Sequence, residues 1–268
     1  MHQPHNIAGV KAAQNAFANA VQVGCFDTAF HRTQPWLSDT FALPLEYYER
    51  GVRSYGFHGT SYDYVPRHLR DTTPNGISGR TIIAHLGNGA STCALKNGKA
   101  VGSSMGFTAL DGLAMGTRCG RIDPGVLLYL LETEGMDVGD LTDLLYRKSG
   151  LLGLSGLSND MRELEESDLA EAKGAIDYFI HSILSEIGSQ MMQLQGLDSL
   201  IFCAGIGENS RLVRRRVCEG LEWCGVRLDN AKNDANADVI STADSKIEVR
   251  IVRTSEEKMI AHYTAELL

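Results

Sequence analysis

The sequence lacks the features that mark several large classes of protein. No run of about 18 uninterrupted apolar residues occurs, so no membrane-spanning helix is expected. Residues 1–6 carry no basic segment followed by an apolar one, so no secretory signal is expected. Positive charge is scarce, since 25 Lys and Arg against 33 Asp and Glu give a net charge of −8. This balance argues against a surface that binds nucleic acid or an anionic membrane.

Two further absences limit the kinds of metal, redox and nucleotide site that the chain can contain. The six cysteines, at positions 25, 93, 119, 203, 218 and 224, form no C-x-x-C pair and have no metal-ligand spacing with histidine. This usage predicts reduced core residues in a cytoplasmic protein. The chain has no G-x-x-x-x-G-K-[ST] phosphate loop, and its glycine loops lack the third glycine of the G-x-G-x-x-G motif. An NAD-dependent dehydrogenase is therefore disfavoured.

Glycine is abundant, with 28 residues in 268, and it concentrates in loops that follow apolar runs. Gly87-Asn88-Gly89 follows a predicted strand at 81–86 and leads into another at 91–96. Asn-Gly is a strong hairpin signal, so a simple β-turn is one interpretation. The other is a phosphate cradle, because glycine lets backbone N–H groups approach an anion closely.

A second glycine loop has a similar position in the chain. Residues 205–209 follow an apolar strand predicted at 199–204, and Ser210 is placed to cap the next helix. Helix N-terminal amides favour a phosphate or another polar ligand group. Two such loops after two apolar strands together suggest a nucleotide held between them.

The periodicity predicts an α/β fold with a mixed sheet, because antiparallel hairpins are followed by elements typical of parallel strands. Helices are predicted at 7–20, 47–52, 61–69, 124–131, 141–146, 169–194, 210–218 and 256–268. Strands are predicted at 21–26, 81–86, 91–96, 100–104, 199–204 and 246–253, with an Asn/Asp/Ala-rich stretch at 230–238.

Three stretches in glycine-rich surroundings, at 26–31, 56–61 and 115–120, also carry reactive side chains. The planar fork of Arg118 suits a carboxylate or a phosphate, and His58 can donate to oxygens of a transition state. Asp27 could orient a nucleophile or a metal-bound water. Each residue also has a structural interpretation: Arg118 could pair with Asp111 or Asp123, His58 could be satisfied within a turn, and Asp27 could cap the next segment.

Seven blocks in fixed order resemble the acetate kinase family. They are "FDTAFH", "YGFHGTS", "HLGNGAS", "SMGFTALDGLAMGTRCG", "SGLLGLSGLSNDMR", "AGIGENS" and the "TSEE" at 254–257. The resemblance implies a ribonuclease-H-like domain of the sugar-kinase, Hsp70 and actin superfamily. It also implies transfer of phosphate between ATP and acetate or propionate, giving acyl phosphate and ADP, with Mg²⁺ and as a homodimer.

The resemblance assigns roles to individual positions. Asp27, His58 and Arg118 would be catalytic, His58 and His85 would steady the phosphoryl oxygens, and Glu256 would hold Mg²⁺. Nucleotide contacts would come from two strand ends and the block around 160, namely His85, Leu86, Gly87, Asn88, Gly89, Asp160, Met161, Arg162, Gly205, Ile206, Gly207, Glu208 and Asn209.

The chain departs from the family in three respects. The family's first domain begins with a strand turn that this sequence does not contain, so residues 1–28 are expected to be a remnant of that domain. Residues 29–255 would then form the nucleotide-binding second domain, and 256–268 a helix returning to the first. A catalytically impaired nucleotide-binding or dimerising fragment is the alternative. Tyr62 stands where the family usually has histidine, and Ala109 stands where many members have proline beside the acyl pocket. Ala109 could admit a longer acid, which leaves propionate open as a substrate.

Overall fold

The computed structural model describes residues 3–73 and 79–268, and a five-stranded mixed sheet lies at its centre. The strand order is β3-β2-β1-β4-β5. Strands β1 to β3 form antiparallel pairs, whereas β4 pairs parallel with both β1 and β5. The strands are β1 (Arg80–Leu86), β2 (Ala90–Lys96), β3 (Lys99–Ser103), β4 (Ser199–Cys203) and β5 (Glu248–Ile251). The predicted fold class is confirmed.

Thirteen α-helices of the described residues surround the sheet, with short 3-10 turns at Ala29–Thr33 and Glu222–Cys224. They are α1 (Gln3–Ala16), α2 (Trp36–Asp39), α3 (Leu45–Glu49), α4 (Gly59–Thr72), α5 (Pro124–Glu132), α6 (Val138–Arg147), α7 (Gly150–Ser155), α8 (Met161–Glu166), α9 (Ala170–Leu194), α10 (Ala204–Asn209), α11 (Arg211–Gly220), α12 (Asn230–Asp234) and α13 (Glu256–Leu267). Within 3–73 and 79–268, no helix has the length and apolarity needed to cross a membrane.

The alternation of side chains along β1 divides the core into two parts. Ile82 and Leu86 pack into the larger cluster, on the face covered by α9, whereas Ile83 belongs to the smaller cluster with Tyr62 of α4. Successive residues of a strand point to opposite faces, so His85 lies on the same face as Ile83. This register directs the His85 side chain toward the start of α4.

Both predicted hairpins are present. Leu86 pairs with Ala90 across a turn in which the Gly87 N–H donates to the Gly89 carbonyl at 3.1 Å. In the second hairpin, Asn97 and Gly98 have φ values of 52° and 77°, which is the backbone geometry that Asn-Gly readily adopts. The two predicted helix caps are also confirmed, since Asp123 accepts from Gly125 N and Ser210 from Val213 N.

Two predicted elements are wrong. Residues 21–26 form no strand: their side chains are mostly exposed, and no described strand pairs with them. A strand needs a partner for its backbone groups, which β propensity alone does not supply. Residues 205–209 are not a loop, because helix α10 begins directly after β4 at Ala204, whose φ is 63°. The carboxylate of Glu208 accepts from the Ala204 N–H at 2.9 Å and fixes this first turn.

Candidate active site

The two glycine segments meet at one edge of the sheet. Strands β1 and β4 are parallel neighbours, and His85 stands opposite Cys203 at their carboxyl ends. A Cβ added at Gly87 would lie 3.7 Å from the Ala204 Cβ, so the Gly87–Gly89 turn directly contacts the start of α10. Ligand sites of open α/β sheets form at such strand ends.

A cavity of about 700 Å³ opens at this edge and is called here the strand-end cavity. Its volume is within the range of small-molecule and cofactor sites. Its lining comes from the Gly87–Gly89 turn, the start of α8, α10 and the residue after α10, namely Gly87, Asn88, Asn159, Asp160, Met161, Arg162, Glu165, Gly205, Ile206, Asn209 and Ser210. Eight of the predicted nucleotide-binding residues are in this set.

The other five predicted nucleotide residues lie outside the cavity lining. Leu86 and Gly207 are buried in the fold. The Glu208 carboxylate accepts from the N–H groups of Ala204 and Thr254, so it stabilises the backbone around α10. His85 and Gly89 face a second group of side chains beside the cavity.

Arg118 belongs to that second group, and its guanidinium has no carboxylate partner among the described residues. Its Nη1 donates to the Ala109 carbonyl at 2.8 Å, and burial lowers its pKa. Asp111 accepts from Gly112 N and Asp123 caps α5, so the predicted pairings of Arg118 with these two carboxylates are wrong. A partly buried arginine with unused donors is suited to bind a carboxylate or phosphate.

His58 and His85 stack beside Arg118, with ring centroids 4.2 Å apart and an interplanar angle of 17°. The His58 Nδ1 lies 2.8 Å from Ser91 Oγ, and the His85 Nδ1 lies 2.9 Å from Ser61 Oγ. Burial, with the nearby charge of Arg118, lowers the pKa of His58 to about 4. Burial beside His58 lowers the pKa of His85 to about 3, so both rings are neutral at pH 7.

Gly89 brings these donors to one point. A Cβ added at Gly89 would lie 3.4 Å from His58 Nε2 and 3.5 Å from Arg118 Nη2. His58 takes the left-handed backbone conformation at the start of α4, with a φ of 56°. The His58 ring is satisfied by Ser91 of β2 and not within a local turn, so that interpretation is wrong, and its Nε2 faces Arg118 across Gly89.

Asp27 and Glu256 form an acidic pair near His85, since the charge of Asp27 acts on both Glu256 and His85. Thr60 Oγ1 donates to Asp27 Oδ1 at 2.9 Å, whereas the helical turn that follows Asp27 has no side-chain cap. The predicted capping role of Asp27 is therefore wrong. Partial burial and the charge of Asp27 raise the pKa of Glu256. Among the described residues, no group of three or more His, Cys, Asp or Glu side chains could hold a metal.

The donor set nevertheless fits Mg²⁺ bound together with a phosphorylated ligand. Mg²⁺ sites commonly use one or two carboxylates, and waters and substrate phosphates complete the octahedron. Asp27 and Glu256 are two carboxylates close enough to interact electrostatically. Asp27 and Glu256 are the residues that would hold the ion.

The sequence analysis missed three residues that line the strand-end cavity. Asn159 donates to Asn88 Oδ1 at 3.0 Å, and Ser210 donates to Glu165. Asn159 directly precedes Asp160, so the same sequence block could have indicated it. Glu165 has no such signal, because only the fold brings it next to the residue after α10.

Comparison with known proteins identifies similar chains. The chain is 57% identical over its whole length to an acetate kinase of Methylocella silvestris and 52% identical to one of Nitrobacter hamburgensis. It covers 66% of each of these relatives, so it spans about two thirds of their length.

Solved structures agree with this. A crystal structure of Porphyromonas gingivalis acetate kinase matches 98% of the chain with a TM-score of 0.91 and 41% identity, and the match covers 68% of that protein. A propionate kinase from Francisella tularensis matches 96% of the chain with a TM-score of 0.91 and 38% identity, over 67% of that protein. The model of the acetokinase family matches residues 1–262, and the chain belongs to this family.

Proposed function

We propose that the protein transfers a phosphoryl group between ATP and acetate or propionate. The observation that supports this most directly is the convergence of His58 Nε2 and Arg118 Nη2 on one point over Gly89, next to the strand-end cavity. Phosphoryl transfer requires positioning and charge neutralisation more than covalent chemistry by the protein. Donors placed in advance at a single point meet that requirement.

The strand-end cavity would hold the nucleoside of ATP, between α8 and α10. From there the phosphates would extend along the Gly87–Gly89 turn to the point between His58 and Arg118. His85 would support His58 by stacking and would face the same oxygens. When bound by Asp27 and Glu256, Mg²⁺ would supply charge neutralisation at the phosphate oxygens.

The reaction proceeds in line at the terminal phosphorus. A carboxylate oxygen of the acceptor forms a bond to this phosphorus while the bond to the bridging oxygen of ADP breaks. Arg118 would orient the acceptor carboxylate and neutralise charge on the transferring group. Neutral His58 would donate its Nε2 proton to a phosphoryl oxygen without transferring it, since its pKa is about 4.

The domain boundaries at 28 and 255, the homodimer and the cytoplasmic location stay proposals. Apolar residues of α5, among them Val126, Leu128 and Tyr129, are exposed, which supports self-association through this domain. All six cysteines are free thiols, as expected in a reducing compartment. Light scattering on a size-exclusion column would test the dimer.

A nucleotide-binding fragment without catalysis is the second candidate. The chain covers 66% of its relatives' length, and Phe17, Val21 and Phe26 expose large apolar side chains that a further domain could cover. An incompletely covered site admits water, which weakens the electrostatic stabilisation of a transition state. Both candidate functions predict nucleotide binding, whereas only the kinase predicts turnover of acetate and ATP.

The test incubates the protein with ATP, Mg²⁺, acetate and hydroxylamine and measures acetyl hydroxamate. Arg118→Ala is expected to lower the rate by about 10² to 10³. Little change in folding is expected, because within 3–73 and 79–268 the guanidinium donates hydrogen bonds only to the Ala109 carbonyl and the Met115 sulfur. Arg216→Ala, which removes an exposed partner of Asp177, is the matched control and keeps the parent rate. Equal rates for Arg118→Ala and the parent would refute the role of Arg118. Bound ADP without hydroxamate would favour the fragment.

A further inference from the structure

A buried phenol lies behind His58, on the side away from Arg118. Tyr62 of α4 is 0% exposed, and its Oη lies 2.5 Å from Ser91 Oγ. The same Ser91 Oγ lies 2.8 Å from His58 Nδ1. The three groups form a chain from the core to the imidazole.

The direction of the protons in this chain follows from counting donors. Ser91 Oγ is the one hydrogen-bond partner that Tyr62 Oη has among the described residues. If Ser91 donated to Tyr62, the buried phenol proton would have no acceptor, which is costly in a dry core. Tyr62 therefore donates to Ser91, and Ser91 uses its single proton to donate to His58 Nδ1.

We propose that Tyr62 is a positioning residue that, through Ser91, fixes His58 as the neutral tautomer with its proton on Nε2. An Nδ1 that accepts a hydrogen bond cannot carry a proton, so the proton of the neutral ring lies on Nε2. That nitrogen is the one that faces Gly89 and Arg118. The identity of the oxygen that it would contact rests on the proposed function, whereas the tautomer does not.

The surroundings of the chain support a fixed arrangement. Burial raises the pKa of Tyr62 well above its ordinary value, so the phenol stays a donor. The Tyr62 ring also packs against His31 and His85, with centroids 5.7 Å and 6.2 Å away. His85 differs from His58, because its serine partner, Ser61, has no described phenol behind it.

Nitrogen NMR of the imidazole rings tests the proposal on the folded protein without substrate. The protein is labelled with ¹⁵N at histidine, and the His58 signals are assigned by their loss in His58→Gln. A protonated ring nitrogen resonates far upfield of an unprotonated one, so Nδ1 is expected downfield and Nε2 upfield. In Tyr62→Phe the Ser91 side chain loses the bond that holds its hydroxyl beside His58 Nδ1. We expect Ser91 to turn away for part of the time, so both His58 shifts should move toward intermediate values.

Two further variants keep the test decisive. Tyr64→Phe removes a phenol from the same helix that has no described hydrogen bond, so it is expected to leave the His58 shifts unchanged. Ser91→Ala breaks the chain at its middle and is expected to reproduce the effect of Tyr62→Phe, which covers the case in which that variant does not fold. A proton on Nδ1 in the parent, or unchanged His58 shifts in both Tyr62→Phe and Ser91→Ala, would overturn the proposal.

Kinetics then separate this proposal from the proposed function. If the parent makes acetyl hydroxamate, Tyr62→Phe is expected to lower kcat by about 10- to 100-fold, with little change in KM for ATP, as for other positioning partners of a reactive imidazole. If Tyr62→Phe shifts the tautomer of His58 but the parent protein has no kinase activity, the positioning role of Tyr62 is upheld and the proposed kinase function is refuted. If Tyr62→Phe shifts the tautomer of His58 and keeps the full activity of the parent, the role of the Nε2 proton in phosphoryl transfer is refuted.

Discussion

Gly89→Ala separates the proposed chemistry from the stability of the fold. The added methyl would lie 3.4 Å from His58 Nε2 and 3.5 Å from Arg118 Nη2, which are ordinary van der Waals distances. The backbone φ of Gly89 lies outside the left-handed region, so alanine introduces no backbone strain there. We therefore expect the free energy of unfolding to change by less than about 1 kcal/mol.

The same methyl occupies the point at which a phosphoryl oxygen would accept from both donors. Such an oxygen must lie within about 3.1 Å of each nitrogen, and a carbon placed 3.4 and 3.5 Å from them leaves no room for it. Loss of one donor of this kind costs about 10² to 10³ in rate. We expect at least this loss in the hydroxamate assay.

Nucleotide affinity provides the internal comparison, because Gly89 does not line the strand-end cavity. Calorimetric titration with ADP should give a dissociation constant within about threefold of the parent value, a difference below about 1 kcal/mol. Gly188→Ala, at an exposed helical glycine with no atom near the added Cβ, is the matched control for stability and activity. A Gly89→Ala rate within about threefold of the parent rate corresponds to a change of less than about 1 kcal/mol in activation free energy. Such a result would refute the proposed placement of the transferring group.

Two further predictions concern stability. Arg214→Met should lower the free energy of unfolding, measured in urea, by about 3 to 5 kcal/mol, because the fully buried guanidinium donates to oxygens of Gly207, Asn233 and Asn236. Arg216→Met, at the exposed ion pair with Asp177, should cost less than about 1 kcal/mol. Equal losses in the two variants would contradict the stabilising role of Arg214. Acid should destabilise the fold between pH 6.5 and about 4, because the unfolded chain binds protons at His58 and His85 that the folded chain, with pKa values of about 4 and about 3, does not. In His58→Gln this acid-induced loss should shrink by about 2 to 3 kcal/mol; an unchanged slope would show that folding does not lower the pKa of His58.

Local signals in the sequence were sufficient for the hairpins, the caps and the mixed sheet. Asn97-Gly98 and Asp123-Pro124 each specify a backbone geometry within a few residues, so no distant contact is needed. The strand predicted at 21–26 failed for the opposite reason, because a strand exists only with a neighbour. Helix α10 was missed because its first turn depends on Glu208, which also accepts from Thr254, 46 residues further along the chain.

Charge patterning alone does not identify the buried arginine of α11. A run of three arginines at 214–216 is typical of a solvated helix face, yet Arg214 is 0% exposed and Arg216 is paired near the surface. The reason is the helical period, which turns neighbouring side chains about 100° apart. The Gly207 carbonyl and the acceptors Asn233 and Asn236, supplied by other segments, make burial of Arg214 tolerable.

The candidate site illustrates the same limit, since no local pattern shows which side of the Gly87–Gly89 turn faces which group. Gly89 faces His58 and Arg118, whereas Gly87 faces Ala204 and the strand-end cavity. Between them, the Asn88 carbonyl accepts from Gly116 N at 3.0 Å, and its side chain accepts from Asn159. Asn88 thus fastens the turn to the loop that carries Arg118 and to the residue before α8. A turn held from both sides could present one glycine to each end of a nucleotide, so the confirmed hairpin leaves the backbone free to act as the phosphate cradle that we propose.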